Sequence, residues 1–168
     1  HDSMNSITVS PDGRHTYTTS PAEDAAHLFR RDDLTGELTY VEMIKDGQDG
    51  VDGLDGATAI VVSPDGAHVY AAGEDDDALA VFRRDAVTGE LAFVEVYKDG
   101  QGGVDGLDGA RSITVSPDGK HLYAAGHEDD ALAVFERDAI SGKLTFVEMT
   151  GGLSYAMCVA MSPDGSHV

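Results

Sequence analysis

Apolar positions in this chain fall into short runs separated by turn signals, and no run holds a 3.6-residue period long enough for a helix. In one stretch the runs are Ser112–Ser116, His121–Gly126, Ala131–Glu136 and Lys143–Glu148. The first two are joined by Ser-Pro-Asp-Gly, where Pro presets φ for a type I turn and Gly takes the position that needs positive φ. The last two are joined by Asp138–Gly142, a hairpin loop closed by Gly. The pattern predicts four antiparallel strands. Small residues in the second run (Tyr70-Ala-Ala-Gly73, Tyr123-Ala-Ala-Gly126) would let neighbouring sheets approach closely.

The four-run unit repeats. Ser-Pro-Asp-Gly stands at Ser10–Gly13, Ser63–Gly66, Ser116–Gly119 and Ser162–Gly165, at spacings of 53, 53 and 46 residues. Asp77–Asp85 returns nearly unchanged as Asp130–Asp138, and Thr88–Glu95 as Ser141–Glu148. Four strands per unit at a period of about 50 residues is the mark of a propeller blade. The expected fold is therefore all-β, a β-propeller of four-stranded antiparallel blades. The blades would be 4–56, 57–109 and 110–155, with the start of a further blade at 156–168, all in one domain. That makes about three and a quarter blades, a partial ring. A parallel β-helix fits less well, because its coils are shorter and lack paired hairpin turns at this spacing.

The residues Ser-Pro-Asp-Gly-Lys-His-Leu-Tyr-Ala-Ala (116–125), then Ala-Val-Phe-x-Arg-Asp, then Gly-x-Leu-x-Phe-Val-Glu, carry a family resemblance. The unit resembles the YVTN-type repeats of lactonase-like propellers, the bacterial seven-bladed superfamily that includes 6-phosphogluconolactonase. The resemblance covers essentially the whole chain. It implies the fold and leaves the activity open, since such folds host many functions. WD40 and kelch propellers fit worse, for the chain has no Trp.

The 168 residues carry 31 acidic and 11 basic side chains, a net charge of −20. Nucleic acid and anionic membrane are excluded as expected partners, because both need positive patches. A protein or cationic ligand, or a saline setting, suits the charge. The single cysteine, Cys158, lies in the apolar run Ala156–Met161 and reads as a buried, inert core thiol. No signal peptide, transmembrane run or basic targeting segment is visible. Three blades and a fraction do not close a ring. The expectation is that the rest of a longer chain, favoured by the missing initiator Met, or another copy completes it. An extracellular, cell-surface or periplasmic location is expected from charge and resemblance.

In a four-stranded meander, the loops between strands two and three share a face with the links to the next blade. Glu74–Asp77, Glu128–Asp130 and the weaker Glu23-Asp24 belong to the first set. The links Asp46–Gly56 and Asp99–Gly109 belong to the second, with Asp-Gly-x triplets throughout the first copy. Both acidic sets should fall on one face. Glycine lets carbonyls and carboxylates turn toward a common centre, and Ca²⁺ takes six to eight oxygen ligands. Asp46, Asp49, Asp52 and Asp55 are thus candidate calcium ligands, with Asp99, Asp105 and Asp108 one blade later. The other reading is that Asp-Gly supplies turn propensity and solvation only. The spacing matches neither an EF-hand nor a calcium-binding β-roll, and the link Thr150–Tyr155 lacks the triplets.

The recurrent Asp12, Asp65, Asp118 and Asp164 read as caps of their own turns, and His15, His68, His121 and His167 as strand residues flanking those turns. His27 and His127 lie near the acidic face. At the starts of the first strands, Asn5, Arg111 and Tyr155 are the channel-mouth candidates. They form no nucleophile with a neighbouring base, so no catalytic residue is assigned. The expected function is a non-enzymatic extracellular or cell-surface scaffold or binding module with an acidic, calcium-loaded face. The alternatives are a lactonase-like hydrolase of sugar lactones with its active site largely in other blades, and a self-assembling structural protein.

Overall fold

The computed structural model describes residues 4–168. Twelve strands form three antiparallel sheets of four, each in sequence order. The first holds β1 (Ser6–Val9), β2 (His15–Ser20), β3 (Ala25–Arg31) and β4 (Leu38–Lys45), with a 3-10 turn at Pro21–Glu23 between β2 and β3. The second holds β5 (Ala57–Val62), β6 (His68–Gly73), β7 (Ala78–Arg84) and β8 (Leu91–Lys98). The third holds β9 (Ala110–Val115), β10 (His121–Gly126), β11 (Ala131–Arg137) and β12 (Leu144–Gly151). This is the blade arrangement of a partial propeller. No helix among the described residues is long and apolar enough to cross a membrane.

The turns form as their residues dictate. In each Ser-Pro-Asp-Gly turn the Gly N–H donates to the Ser carbonyl, and the Gly φ lies between 71° and 75°. The Asp carboxylate accepts from the Ser hydroxyl and from the backbone two residues on, as in Ser63–Asp65–Ala67. Asp32, Asp85 and Asp138 open the outer hairpins by capping the N–H groups two and three residues on. Each third-to-fourth strand pair then shifts register once, at Leu28/Phe29, Val81/Phe82 and Val134/Phe135.

The core lies between blades rather than within them. One cluster joins the first two sheets through Tyr17, Leu28, Ile60, Val69 and Phe82. The other joins the second and third through Tyr70, Leu79, Val115, Leu122 and Phe135. Inner strands β1, β5 and β9 stand side by side, and Thr58 Oγ1 donates to the Ala110 carbonyl at 2.9 Å. Ile60 is 4% exposed, whereas its repeat counterpart Ile7 is 64% exposed. The sheet β1–β4 covers Ile60, and no sheet among the described residues covers Ile7.

Residues 156–168 repeat the turn (Ser162 N–H to the His167 carbonyl, 2.9 Å) without forming a strand. Val159 N–H donates to Ser112 Oγ at 3.1 Å, so this segment lies beside β9. Cys158 corrects the expectation of a buried thiol. It is exposed, because its segment packs on one side only.

Candidate active site

The links between blades are built from their apolar residues. Val51 and Leu54, and one blade later Val104 and Leu107, are buried in the interblade clusters. Gly53 turns between the first pair at φ +94°, and a Cβ there would meet Val96 at 2.7 Å and Ala80 at 3.4 Å. The aspartates serve this plug. Asp46 accepts the Leu54 N–H at 3.0 Å and Asp99 the Leu107 N–H at 3.0 Å. Asp76 accepts from Gly53 and Asp55, and Asp129 from Asp108. Asp24, Asp77 and Asp130, each left-handed at φ near 50°, cap Gly56, Gly109 and Tyr155 in the same way.

The acidic loops and links do share one face, and two carboxylate groups assemble on it. Asp46, Asp52 and Asp76 bring ligand atoms within 4.8 Å of one another, and so do Asp99, Asp105 and Asp129. Of the seven candidate ligands, the structure therefore joins Asp46 with Asp52 and Asp99 with Asp105. Asp49 is exposed and left-handed, Asp55 lies beside Asp24, and Asp108 lies beside Asp77. The four aspartates of the first link do not converge. Asp76 and Asp129, from the two-to-three loops, are the third members that the link spacing did not reveal.

Among the described residues these two groups could hold a cation, and they differ. In the first, the Lys98 ammonium lies 2.7 Å from Asp76 and 2.9 Å from Asp52. Burial opposes the lysine's charge, but the bonds to both carboxylates outweigh it and raise its pKa. In the second group, the repeat places Gly151 where Lys98 stands. There burial and then the charges of Asp99 and Asp105 raise the Asp129 carboxyl, although backbone N–H donors from Asp108 and Gly106 oppose this. Burial and the neighbouring Asp77 likewise raise Asp108.

A cleft of about 480 Å³ opens on the same face, at the mouth of the channel between the inner strands. It is lined by Asn5, Ser6, Thr58, Glu74, Arg111 and Met157, among others. Asn5, Thr58, Arg111 and Met157 occupy the same repeat position in successive blades, so unlike side chains converge where the scaffold is uniform. Asn5 Nδ2 donates to the Thr58 carbonyl at 3.2 Å. Arg111 donates from both Nε, at 2.9 Å, and Nη2 to Oε1 of Glu74. Both bonds fall on one carboxylate oxygen. Oε2 of Glu74 and Nη1 of Arg111 have no hydrogen-bond partner among the described residues.

Arg111 and Asn5 stand where the first-strand comparison put them, while Tyr155 lies outside the cleft lining. Tyr155 is exposed and left-handed at φ 60°, its ring centroid 5.7 Å from that of His127. Glu74 was missed, because it opens an acidic loop and reads as one more surface carboxylate. Its signal was present: the equivalent positions hold Pro21 and His127, so Glu74 departs from the repeat as Arg111 does. A separate groove near Arg14, Arg30 and Asp33 opens at the opposite end of the sheets, away from the channel.

Residues 6–161 match the sequence profile described as Lactonase, 7-bladed beta-propeller. The chain belongs to that lactonase family. It is 29% identical to the 6-phosphogluconolactonase of Bacillus subtilis over 154 residues, which is 91% of this chain and 42% of that protein. It superposes on the periplasmic gluconolactonase of Pseudomonas aeruginosa with a TM-score of 0.77 and 27% identity, over 92% of this chain and 41% of that one. Hydrazine synthase of Kuenenia stuttgartiensis shares the fold alone, at 24% identity and a TM-score of 0.70 over 98% of this chain and 40% of that one. The chain thus spans less than half the length of these lactonase relatives. The family match overturns the expectation of a non-enzymatic scaffold, which rested on the uniformity of the blades. That uniformity belongs to the strands and turns, and it breaks at the channel mouth.

Proposed function

We propose that this chain forms part of a lactone hydrolase acting on a sugar lactone. The observation that carries the reading is the meeting of Glu74 and Arg111 in the channel-mouth cleft of a lactonase-family propeller. Opening a lactone needs a water made nucleophilic and a stabilised negative charge on the carbonyl oxygen. The free Oε2 of Glu74 is placed to take a proton from the attacking water. The free Nη1 of Arg111 is placed to donate to the developing oxyanion, and a guanidinium keeps its charge throughout. Asn5 supplies a polar group for a sugar hydroxyl at the cleft wall.

Lactone loss is followed above the spontaneous rate for the protein and for Arg111→Met and Glu74→Gln. The reading expects each variant to lose about 100-fold or more in kcat, the scale of removing a general base or an oxyanion donor. Turnover unchanged in both variants would remove the pair from the mechanism. No turnover by the unaltered protein would remove the reading itself.

A further inference from the structure

Two chemistries divide the relatives' substrates: a lactone that carries a phosphate and one that carries no charge. We propose that this cleft selects the uncharged lactone, and that Glu74 is the residue that sets the preference. The inference rests on the lactone-hydrolase reading and refines its substrate class.

A phosphate ester is recognised by guanidinium forks, ammonium groups or helix N-termini left free to receive it. The cleft contains one basic side chain, Arg111, and two of its donors are already spent on Glu74. The pair presents no net charge to a ligand. The rim around it is acidic. The loop Glu74–Asp77 sits directly on the link that ends at Gly56, with Glu74 N–H bonded to the Gly56 carbonyl and Asp75 N–H to the Asp55 carbonyl. The next loop, Glu128–Asp130, sits on the link ending at Gly109 in the same way. Lys98, at the start of the second link, is held between Asp52 and Asp76. A doubly charged phosphate entering here meets like charge, and the one basic side chain that lines the cleft among the described residues is already paired, a juxtaposition that costs binding. An uncharged lactone incurs no such cost and still finds the free Nη1 of Arg111 and the amide of Asn5.

The test measures binding, so it does not depend on turnover. Glucono-1,5-lactam and its 6-phosphate, which resist hydrolysis, are titrated into the protein by calorimetry. The uncharged lactam should bind about ten-fold tighter or better, the effect of one uncompensated like-charge contact. Raising salt from about 20 mM to about 500 mM should tighten the phosphorylated lactam and leave the other unchanged, because screening removes repulsion. Glu74→Gln frees the guanidinium and should narrow or reverse the preference. The salt series on the unaltered protein stands alone if that variant does not fold. A phosphorylated lactam that binds tighter, or weakens with salt as an attracted anion does, overturns the inference. So does a failure of both lactams to bind. Preference for the uncharged lactam without any lactone turnover would sustain this inference and overturn the hydrolase reading.

Discussion

Arg84 of the second blade donates to Asp12 of the first at 2.7 Å, across 72 residues of chain, and Arg137 repeats the bond to Asp65 one blade later at the same distance. Each arginine closes a latch by bonding to four other residues. Nε of Arg137 reaches Tyr70 Oη at 2.7 Å, Nη1 the Gly119 carbonyl at 2.9 Å, and Nη2 both Asp65 and Nδ1 of His68. Tyr70 Oη in turn donates to the Gly142 carbonyl at 2.9 Å. Because the guanidinium only donates, Nδ1 of His68 must accept, and the ring is neutral. The latch lies at the end of the sheets opposite the cleft and ties each blade to the next.

Arg137→Ala should destabilise the protein by about 3 kcal/mol or more, since Arg137 is buried and its loss strands a carboxylate, a phenol and an imidazole. Arg137→Lys should restore little, because an ammonium cannot bond in three directions from one plane. Arg31→Ala, at the equivalent site of the first blade, should cost about 1 kcal/mol, for Arg31 is partly exposed and holds the Gly13 carbonyl and the exposed Asp33, without an interblade Asp and a buried Tyr and His beneath it among the described residues. Urea denaturation of the three variants measures the ranking. Equal losses at Arg31 and Arg137 would refute the latch.

The latch also makes the protein acid-labile. Burial would raise the Asp65 carboxyl, but the Ser63 hydroxyl, the Ala67 N–H and Arg137 outweigh it and bring the pKa down to about 2 from 3.8. A depressed carboxyl contributes stability that is present above 3.8 and is lost as pH falls through about 2. Burial, and then the Arg137 charge, lowers His68 from 6.5, and the same causes lower His15. Their neutral rings contribute stability present above 6.5 and lost as pH falls below it. Melting temperature should therefore decline in two stages on acidification, with the upper stage reduced in His68→Gln. A melting temperature that stays level between about pH 7 and pH 5 would contradict the buried-histidine arrangement.

The repeat made the strands and turns readable because turn chemistry is local. Pro11, Asp12 and Gly13 need only each other to specify their turn, and the blade limits followed from such signals. The latch was less visible because it joins residues that the sequence separates by 72 positions, and Asp12 was read as a cap of its own turn alone. It is that cap, through Ser10 and Arg14, and also the partner of Arg84. The anchoring of the acidic links was hidden for a related reason. Their Asp-Gly periodicity drew attention to the carboxylates, while Val51, Leu54, Val104 and Leu107 between them held the links in place. The cleft pair was half legible: Arg111 broke a strand repeat and stood out, whereas Glu74 was hidden among like charges.

Glycine at the outer hairpins separates local from interblade requirements. Gly142 and Gly36 have nearly the same φ, +77° and +76°. A Cβ at Gly36 would meet nothing within 4 Å, whereas one at Gly142 would overlap the ring of His68, with Cγ at 2.7 Å. Gly36→Ala should cost about 1 kcal/mol, the left-handed backbone alone. Gly142→Ala should cost about 3 kcal/mol, because a buried imidazole must also move. The difference between the two denaturation midpoints isolates the interblade contact. Equal costs would mean that the histidine does not pack beneath the loop.

The same logic separates apolar from electrostatic anchoring of the links. If apolar anchoring positions them, Leu107→Ala should destabilise by about 3 kcal/mol, since Leu107 is fully buried between two blades and its truncation leaves a cavity. Asp49→Asn should be within about 0.5 kcal/mol of the parent, because Asp49 is exposed and belongs to neither carboxylate group, and Asn tolerates its left-handed backbone. Lys98→Met falls between them: it keeps the aliphatic stem but leaves Asp52 and Asp76 facing each other, so its cost should shrink as salt screens that repulsion. Leu107→Ala should instead be insensitive to salt, because what it loses is contact rather than charge. A Lys98 variant as stable as the parent at low salt would mean that the ammonium does not hold the acidic link closed.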